Sequence, residues 1–451
     1  MKYQKNFFAL VFLFAGLFLL GCKKDKDSDG LSKVDIDKIS KLPYSDLSPD
    51  EQKQKLEKES LAFLELCNAA QSSPAVEAFQ NLNSLLDVTG VDFFESTSEK
   101  SAIKVKSVKA AIEYSEFYAV FTWNVSKRDW DMTPSTTELK FVFPAKKGST
   151  NNNAALSIKA ASSNVLVDEL IYMPKSVTCT LTVSNKEEAK IEFSADYKNN
   201  NPLPVKTEFK LSTGDGYTYW WKIEKGNESQ LAMKMSFKNQ IMFEVLFKSG
   251  IKLDEIFDLA LNDQLDNQYN LLDKANGYIR LMDDLTMVYK VDLAKFAPKS
   301  EEIEADYEKK MAQLHPEWAD YNNWNTVKQA WDKNENRYKT WGQYEKERSD
   351  KNAKAFNDYV EVALFSTKDK FKIADMIQYS KIDSEYWDYY KWDATAKMWS
   401  LSNVDTKKFD VYDNVPFLKF GDKTEVSASV YFSEGFDKLE KKLEELLKTF
   451  D

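Results

Sequence analysis

The feature that most limits the folds open to this chain is a long stretch in which apolar and polar residues alternate. From about Glu113 to Gly250, apolar residues recur at every second position, as in Ala189/Ile191/Phe193, between threonine, lysine, glutamate and serine. Successive side chains of a strand point to opposite faces, so this period of two predicts strands with one buried face. A second face in water is typical of antiparallel sheets, and turn sequences between the runs predict seven to nine strands joined by hairpins.

Helical patterns lie on both sides of this stretch. Ser48-Pro49-Asp50-Glu51 combines a cap, a first-turn proline and a capping-box glutamate, which predicts a helix to about Ala70. Ser73-Pro74 predicts the start of a second helix, and 251–299 has apolar residues at helical spacing. The sequence therefore predicts an α+β fold, with helices packed on the apolar face of a curved antiparallel sheet over 101–250.

A charged block over 300–365 predicts an inserted helical hairpin that projects from the sheet. Apolar residues from Ile303 to Leu314 mark one helix that Pro316 ends, and those from Trp324 to Trp341 mark a second helix near a 3.5-residue spacing. Beyond it, 366–451 mixes short strand patterns with a closing helix whose apolar residues share one face.

The N-terminus has the form of a bacterial lipoprotein signal peptide. An apolar run of fourteen residues follows two lysines and ends in Leu19-Leu20-Gly21-Cys22, the arrangement of a lipobox. A membrane-spanning helix needs about 20 apolar residues, so cleavage and lipidation at Cys22 are favoured over a membrane span.

The residues after Cys22 form a predicted solvated tether rich in lysine, aspartate and serine. Asp25 to Gly30 copies the first half of an EF-hand loop, but Ile36 stands where the bidentate glutamate belongs, which favours a linker over a calcium site. Acidic residues after the cysteine are similar to the surface-export signal of Bacteroidota lipoproteins. This predicts a lipid-anchored position on the outer membrane, at its periplasmic face or on the cell surface.

Seven segments follow from these patterns. They are a signal peptide (1–21), a flexible tether (22–45), N-terminal helices (46–100), the sheet (101–250), a helical segment (251–299), the hairpin insertion (300–365) and the mixed C-terminal segment (366–451).

The residue inventory argues against most catalytic classes. His315 is the only histidine, so a histidine-dependent triad would have to rest on it, and nothing nearby resembles a nucleophile elbow; a zinc site or a relay has no second histidine. A net charge of −10 argues against nucleic acid as a partner. We therefore predict no catalytic residue, no metal and no cofactor, and a protein that is not an enzyme; carboxylate-based glycan cleavage stays as a third-ranked alternative.

Tryptophans recur at a fixed spacing. Trp123 and Trp130, and likewise Trp392 and Trp399, are separated so that a hairpin would place each pair across adjacent strands. Packing alone accounts for buried indoles, while exposed ones would stack on sugar rings. These four residues are the candidate aromatic contact residues. Trp324 and Trp331 repeat the spacing within a predicted helix.

Two cysteines remain in the mature chain, Cys67 on a helical apolar stripe and Cys179 on a strand face. These positions predict that both thiol side chains face the interior. They are either bridged, if that helix packs on that strand, or buried separately as free thiols.

Several short motifs resemble a group of Bacteroidota lipoproteins of unknown function. These are Phe121-Thr122-Trp123-Asn124 with Trp130, Phe141-Val142-Phe143-Pro144, Pro174-Lys175-Ser176, and Pro416-Phe417-Leu418 with Phe420-Gly421-Asp422. The resemblance covers most of the mature chain outside 300–365. It implies a cell-envelope lipoprotein and supplies no catalytic residues.

Three functions are consistent with these patterns. The first is a non-enzymatic envelope protein that contacts a protein partner through the helical hairpin. The second is a carrier of a lipid or other apolar ligand in a half-barrel of the sheet. The third is a protein that binds or cleaves glycans.

Overall fold

The protein is described by a computed structural model that covers residues 36–71, 73–89, 114–167, 171–198, 200–226, 228–238, 240–250, 272–282, 285–314, 335–393, 398–432 and 441. Within these ranges sixteen strands form one open sheet, accompanied by a few helices.

The strands follow one another through the sheet almost in chain order. They are β1 Ala119–Asn124, β2 Asp129–Pro134, β3 Leu139–Phe143, β4 Ala154–Val167, β5 Ile171–Val183, β6 Lys186–Asp196, β7 Lys206–Thr213, β8 Tyr217–Glu224, β9 Ser229–Phe237, β10 Gln240–Ser249, β11 Lys274–Leu281, β12 Leu285–Asp292, β13 Val360–Ser366, β14 Phe371–Asp393, β15 Met398–Phe420 and β16 Glu425–Ser427. Neighbours pair antiparallel except β1 and β3, which are parallel because the β1–β2 hairpin places β1 between β2 and β3. The antiparallel sheet is thus present, but it is larger than predicted: ten strands lie before residue 250 and six after it.

The helices are α1 Ile36–Ile39, α2 Pro49–Gln71, α3 Pro74–Thr89, α4 Leu293–Leu314, α5 Glu335–Tyr359 and α6 Ala428–Tyr431, with a 3₁₀ turn at Tyr114–Phe117. The predicted capping box is present at the start of α2. The Ser48 backbone N–H donates to Glu51 Oε2 (2.9 Å), and the Glu51 N–H donates to Ser48 Oγ (3.4 Å). Reciprocal bonds of this kind satisfy donors that a helix start leaves unpaired.

The prediction of a helical segment over 251–299 is wrong for β11 and β12. Tyr278 is fully buried in a cluster with Ile39 on one face of the sheet, and Ile279 packs beside Phe63 of α2 on the other. A strand covered on both faces carries apolar residues at adjacent positions, so its period of two disappears and the pattern resembles that of a helix.

The flexible tether predicted over 22–45 ends earlier than expected. Ile36, Ile39 and Leu42 contribute to a cluster with Trp220 and Phe365. Farther on, the Lys372 N–H donates to Pro43 O and the Ser45 N–H to Lys372 O, both at 2.8 Å. The chain is therefore fixed to the sheet from Ile36 onward, because a short apolar stripe at helical spacing finds a partner there.

The inserted helices do not simply project from the sheet. α4 and α5 lie in the chain between the neighbouring strands β12 and β13, and β13 occupies the last residues of the predicted hairpin. α5 packs along β14 and β15, where the Trp341 ring lies 5.2 Å from Phe409. The Asn414 side chain also donates to Ser349 O of α5 (2.7 Å). The apolar side of α5 is thus used within the fold.

The closing helix predicted near the C-terminus lies outside the described residues, as do residues 90–100 of the predicted N-terminal helices.

Candidate functional site: the aromatic part of the apolar face

Strand register aligns apolar side chains into rows that cross the sheet. Residues paired across antiparallel strands point to the same face, so each chain of pairs forms a row on one face. One row contains Val177, Phe193, Phe209, Trp221, Met233, Val245, Ile279, Met287, Leu364, Ala374 and Phe420. The next row on the same side contains Ala195, Thr207, Ile223, Leu231, Phe247, Gly277, Tyr289, Val362, Met376 and Leu418. We call this side the apolar face.

The opposite side, the polar face, carries charges in the same register. Glu192 pairs with Lys210, and Lys234 pairs with Glu244. Glu244 is fully buried, and its Oε2 lies 3.8 Å from Arg280 Nη1. A buried carboxylate is costly unless it is paired, and this arginine partner accounts for its position. The polar face is not polar throughout, because the buried apolar cluster of Ile39, Trp220, Leu246 and Tyr278 lies on the same side.

Side chains of α2 and α3 contribute to three buried clusters with residues of the apolar face. Leu56 lies with Leu418 and its neighbours on β13 to β15, and Phe63 lies with Phe243 on β10. Leu82 of α3 lies with Leu181 on β5. Leu418 belongs to the second of the two rows, whereas Phe243 and Leu181 lie beside these rows on the same side of the sheet.

A second set of residues on the apolar face belongs to none of these clusters. We call it the aromatic patch, and it comprises Phe193, Phe209, Trp221, Ile223, Leu231, Phe247 and Tyr289. Each of its side chains is half-buried except Ile223, which is exposed over 36% of its surface. The Phe209 and Trp221 rings stack at 5.5 Å, and those of Phe247 and Tyr289 at 6.4 Å. Flat apolar surface in partial contact with solvent is a common property of ligand-binding faces.

Gly277 shapes the patch on β11. A Cβ atom at this residue would lie 2.0 Å from Leu246 O and 2.4 Å from the Tyr289 hydroxyl oxygen. The absence of a side chain lets the Tyr289 ring cross β11, where its hydroxyl donates to Leu246 O at 3.1 Å and its ring reaches Phe247. Burial raises the pKa of Tyr289, so its hydroxyl stays protonated and remains a donor at ordinary pH.

The predicted tryptophan pairs are formed, but they do not converge on one site. Trp123 pairs with Trp130 across β1 and β2, and Trp392 pairs with Trp399 across β14 and β15. The prediction that hairpins place each pair across adjacent strands is therefore confirmed. The two pairs lie near opposite edges of the sheet.

The first pair is part of the core. The Trp123 and Trp130 rings meet edge to face at 5.3 Å, and Trp130 meets Phe141 at 5.5 Å. Trp123 is only 8% exposed, in a cluster with Ala78 and Leu82 of α3. This geometry supports the packing explanation for Trp123 and Trp130. Trp324 and Trp331 lie outside the described part of the chain.

The two cysteines are free thiols in separate clusters. Cys67 lies with Tyr217 and Phe243, and Cys179 lies with Leu181. Burial raises the pKa of Cys67 to about 12 and that of Cys179 to about 11, so both remain protonated and poorly nucleophilic. Of the two alternatives, separate free thiols are confirmed, with Cys67 buried and Cys179 half-buried.

Paired charges fill the seam between α4 and α5. Lys310 and Lys351 each bridge Asp306 and Glu347, at 2.7–2.9 Å. The lysine partners hold the pKa of both carboxyl groups below the ordinary range. Glu345 is 8% exposed and accepts hydrogen bonds from Tyr307, Trp341 and Arg348. The seam joins the two helices and has the character of a structural network.

Several sequence features singled out above lie outside the residues that the structure describes. Leu19-Leu20-Gly21-Cys22, the Asp25 to Gly30 segment and His315 are outside the described residues. In the ranges that the structure covers, no group of three histidine, cysteine, aspartate or glutamate side chains is arranged to hold a metal ion. No helix in those ranges is long and apolar enough to cross a membrane.

Sequence reasoning did not identify the aromatic patch. Phe193, Phe209 and Trp221 lie in the alternating runs, but their joint position depends on strand register, which residue order does not reveal. The available signal was that each of the strands β6 to β8 carries an aromatic residue on its inward side, Phe193, Phe209 and Trp221, where aliphatic residues suffice for a core.

Comparisons of the chain with protein-family models, with curated proteins and with solved structures gave no match.

Proposed function

We propose that the protein binds a lipid or another apolar ligand on the aromatic patch, and that a lipid on Cys22 holds it at the outer membrane. The observation that carries this proposal is the band of partly exposed apolar side chains between β6 and β12, which includes Phe193, Phe209 and Trp221 of the first row and Ile223, Leu231, Phe247 and Tyr289 of the second. Solvent-exposed apolar surface gains about 25 cal/mol for each Å² that a ligand covers, so covering about 300 Å² contributes roughly 7 kcal/mol before the costs of association.

The proposal adds a ligand to the apolar face of the sheet, the face on which the sequence predicts packed helices. Side chains of α2 and α3 share buried clusters with other residues of the apolar face, and we assign the ligand to the aromatic patch, which belongs to none of these clusters. No chemical step is needed, because the side chains of the patch hold apolar molecules by contact alone.

A protein partner on the helical hairpin is the second candidate. Charged side chains on the outer surfaces of α4 and α5, such as Glu302 and Lys354, favour it because opposite charges steer protein encounters. We rank it second because α5 uses Trp341 and Ser349 against β14 and β15. Glycan binding ranks third, since burial of Trp123 removes one of the flat faces it requires.

The test is native purification of the full chain from its envelope, followed by lipid extraction and mass spectrometry. A substitution of Phe247→Ser in the patch should reduce the retained lipid several-fold. The matched control is Ile382→Ser, since Ile382 on β14 is 56% exposed and lies outside the patch. A wild-type protein that carries no lipid and takes up none on incubation would refute the proposal, as would equal losses in the two variants with unchanged circular dichroism.

A further inference from the structure

We draw no further inference here: the strongest candidate, the aromatic patch on the apolar face of β6 to β12, already carries the proposed function, and nothing in the described part of the structure shows what covers it.

Discussion

The substitution Gly277→Ala should destabilise the protein by about 1–3 kcal/mol. The new Cβ would lie 2.0 Å from Leu246 O and 2.4 Å from the Tyr289 hydroxyl oxygen, so either β10 and β11 or the Tyr289 ring must move. Overpacking of this kind costs about 1–3 kcal/mol, and loss of the Tyr289 hydrogen bond costs about 1 kcal/mol. Reduced freedom of the unfolded chain returns about 0.4–1 kcal/mol.

The assay is urea unfolding of the full chain, followed by circular dichroism. Gly226→Ala is the matched control, because its Cβ would meet only Glu228 O, at an ordinary 3.6 Å. The control should change the unfolding free energy by no more than about 0.5 kcal/mol. Tyr289→Phe should cost about 1 kcal/mol in the wild type and nearly nothing beside Gly277→Ala if the Tyr289 ring is the part that moves; an unchanged cost would show that β10 and β11 move instead. Wild-type stability of Gly277→Ala would refute this explanation of the glycine.

Three further outcomes are expected. Glu345→Gln should lower the unfolding free energy by about 1–3 kcal/mol in urea titrations, because the charge that accepts three hydrogen bonds is lost; an unchanged midpoint would contradict this. Cys67 and Cys179 should resist a thiol reagent at pH 8 and react fully in denaturant, as mapped by mass spectrometry; reaction before unfolding would contradict their burial. Because the pKa values of Asp306 and Glu347 are lowered in the folded state, their contribution to stability is present above the ordinary carboxyl pKa and is lost as pH falls through the folded values. Acid titration of thermal unfolding should show this loss, and replacing the two lysines of the α4–α5 seam by methionine should remove it.

The alternating sequence pattern correctly predicts those strands that have one face in contact with solvent. β6 alternates because Ile191 and Phe193 point to the apolar face while Lys190 and Glu192 form a salt bridge on the other. β11 lacks this alternation because Tyr278 and Ile279 are covered on opposite faces by segments that are distant in the sequence. The local pattern of β11 does not show which segments will cover it.

The tryptophan pair and the aromatic patch also differ in how far the local sequence determines them. The Trp123–Trp130 pair was predictable because a spacing of seven around a turn determines cross-strand pairing locally. The aromatic patch was not, because Phe193 and Tyr289 come to lie on one face, in neighbouring rows, only through the accumulated register of seven strands. The lipid anchor at Cys22 and the outer-membrane location stay predictions from the sequence.

The account depends on a lipid or another apolar ligand occupying the aromatic patch on β6 to β12. The most direct measurement is photo-cross-linking of a diazirine-bearing fatty acid to the full-length protein, with peptide mapping of the adducts. We predict adducts concentrated between Phe193 and Tyr289, and their loss when unlabelled fatty acid competes. Adducts confined to α5 and the β14–β15 strands, or none that a competitor removes, would contradict the account.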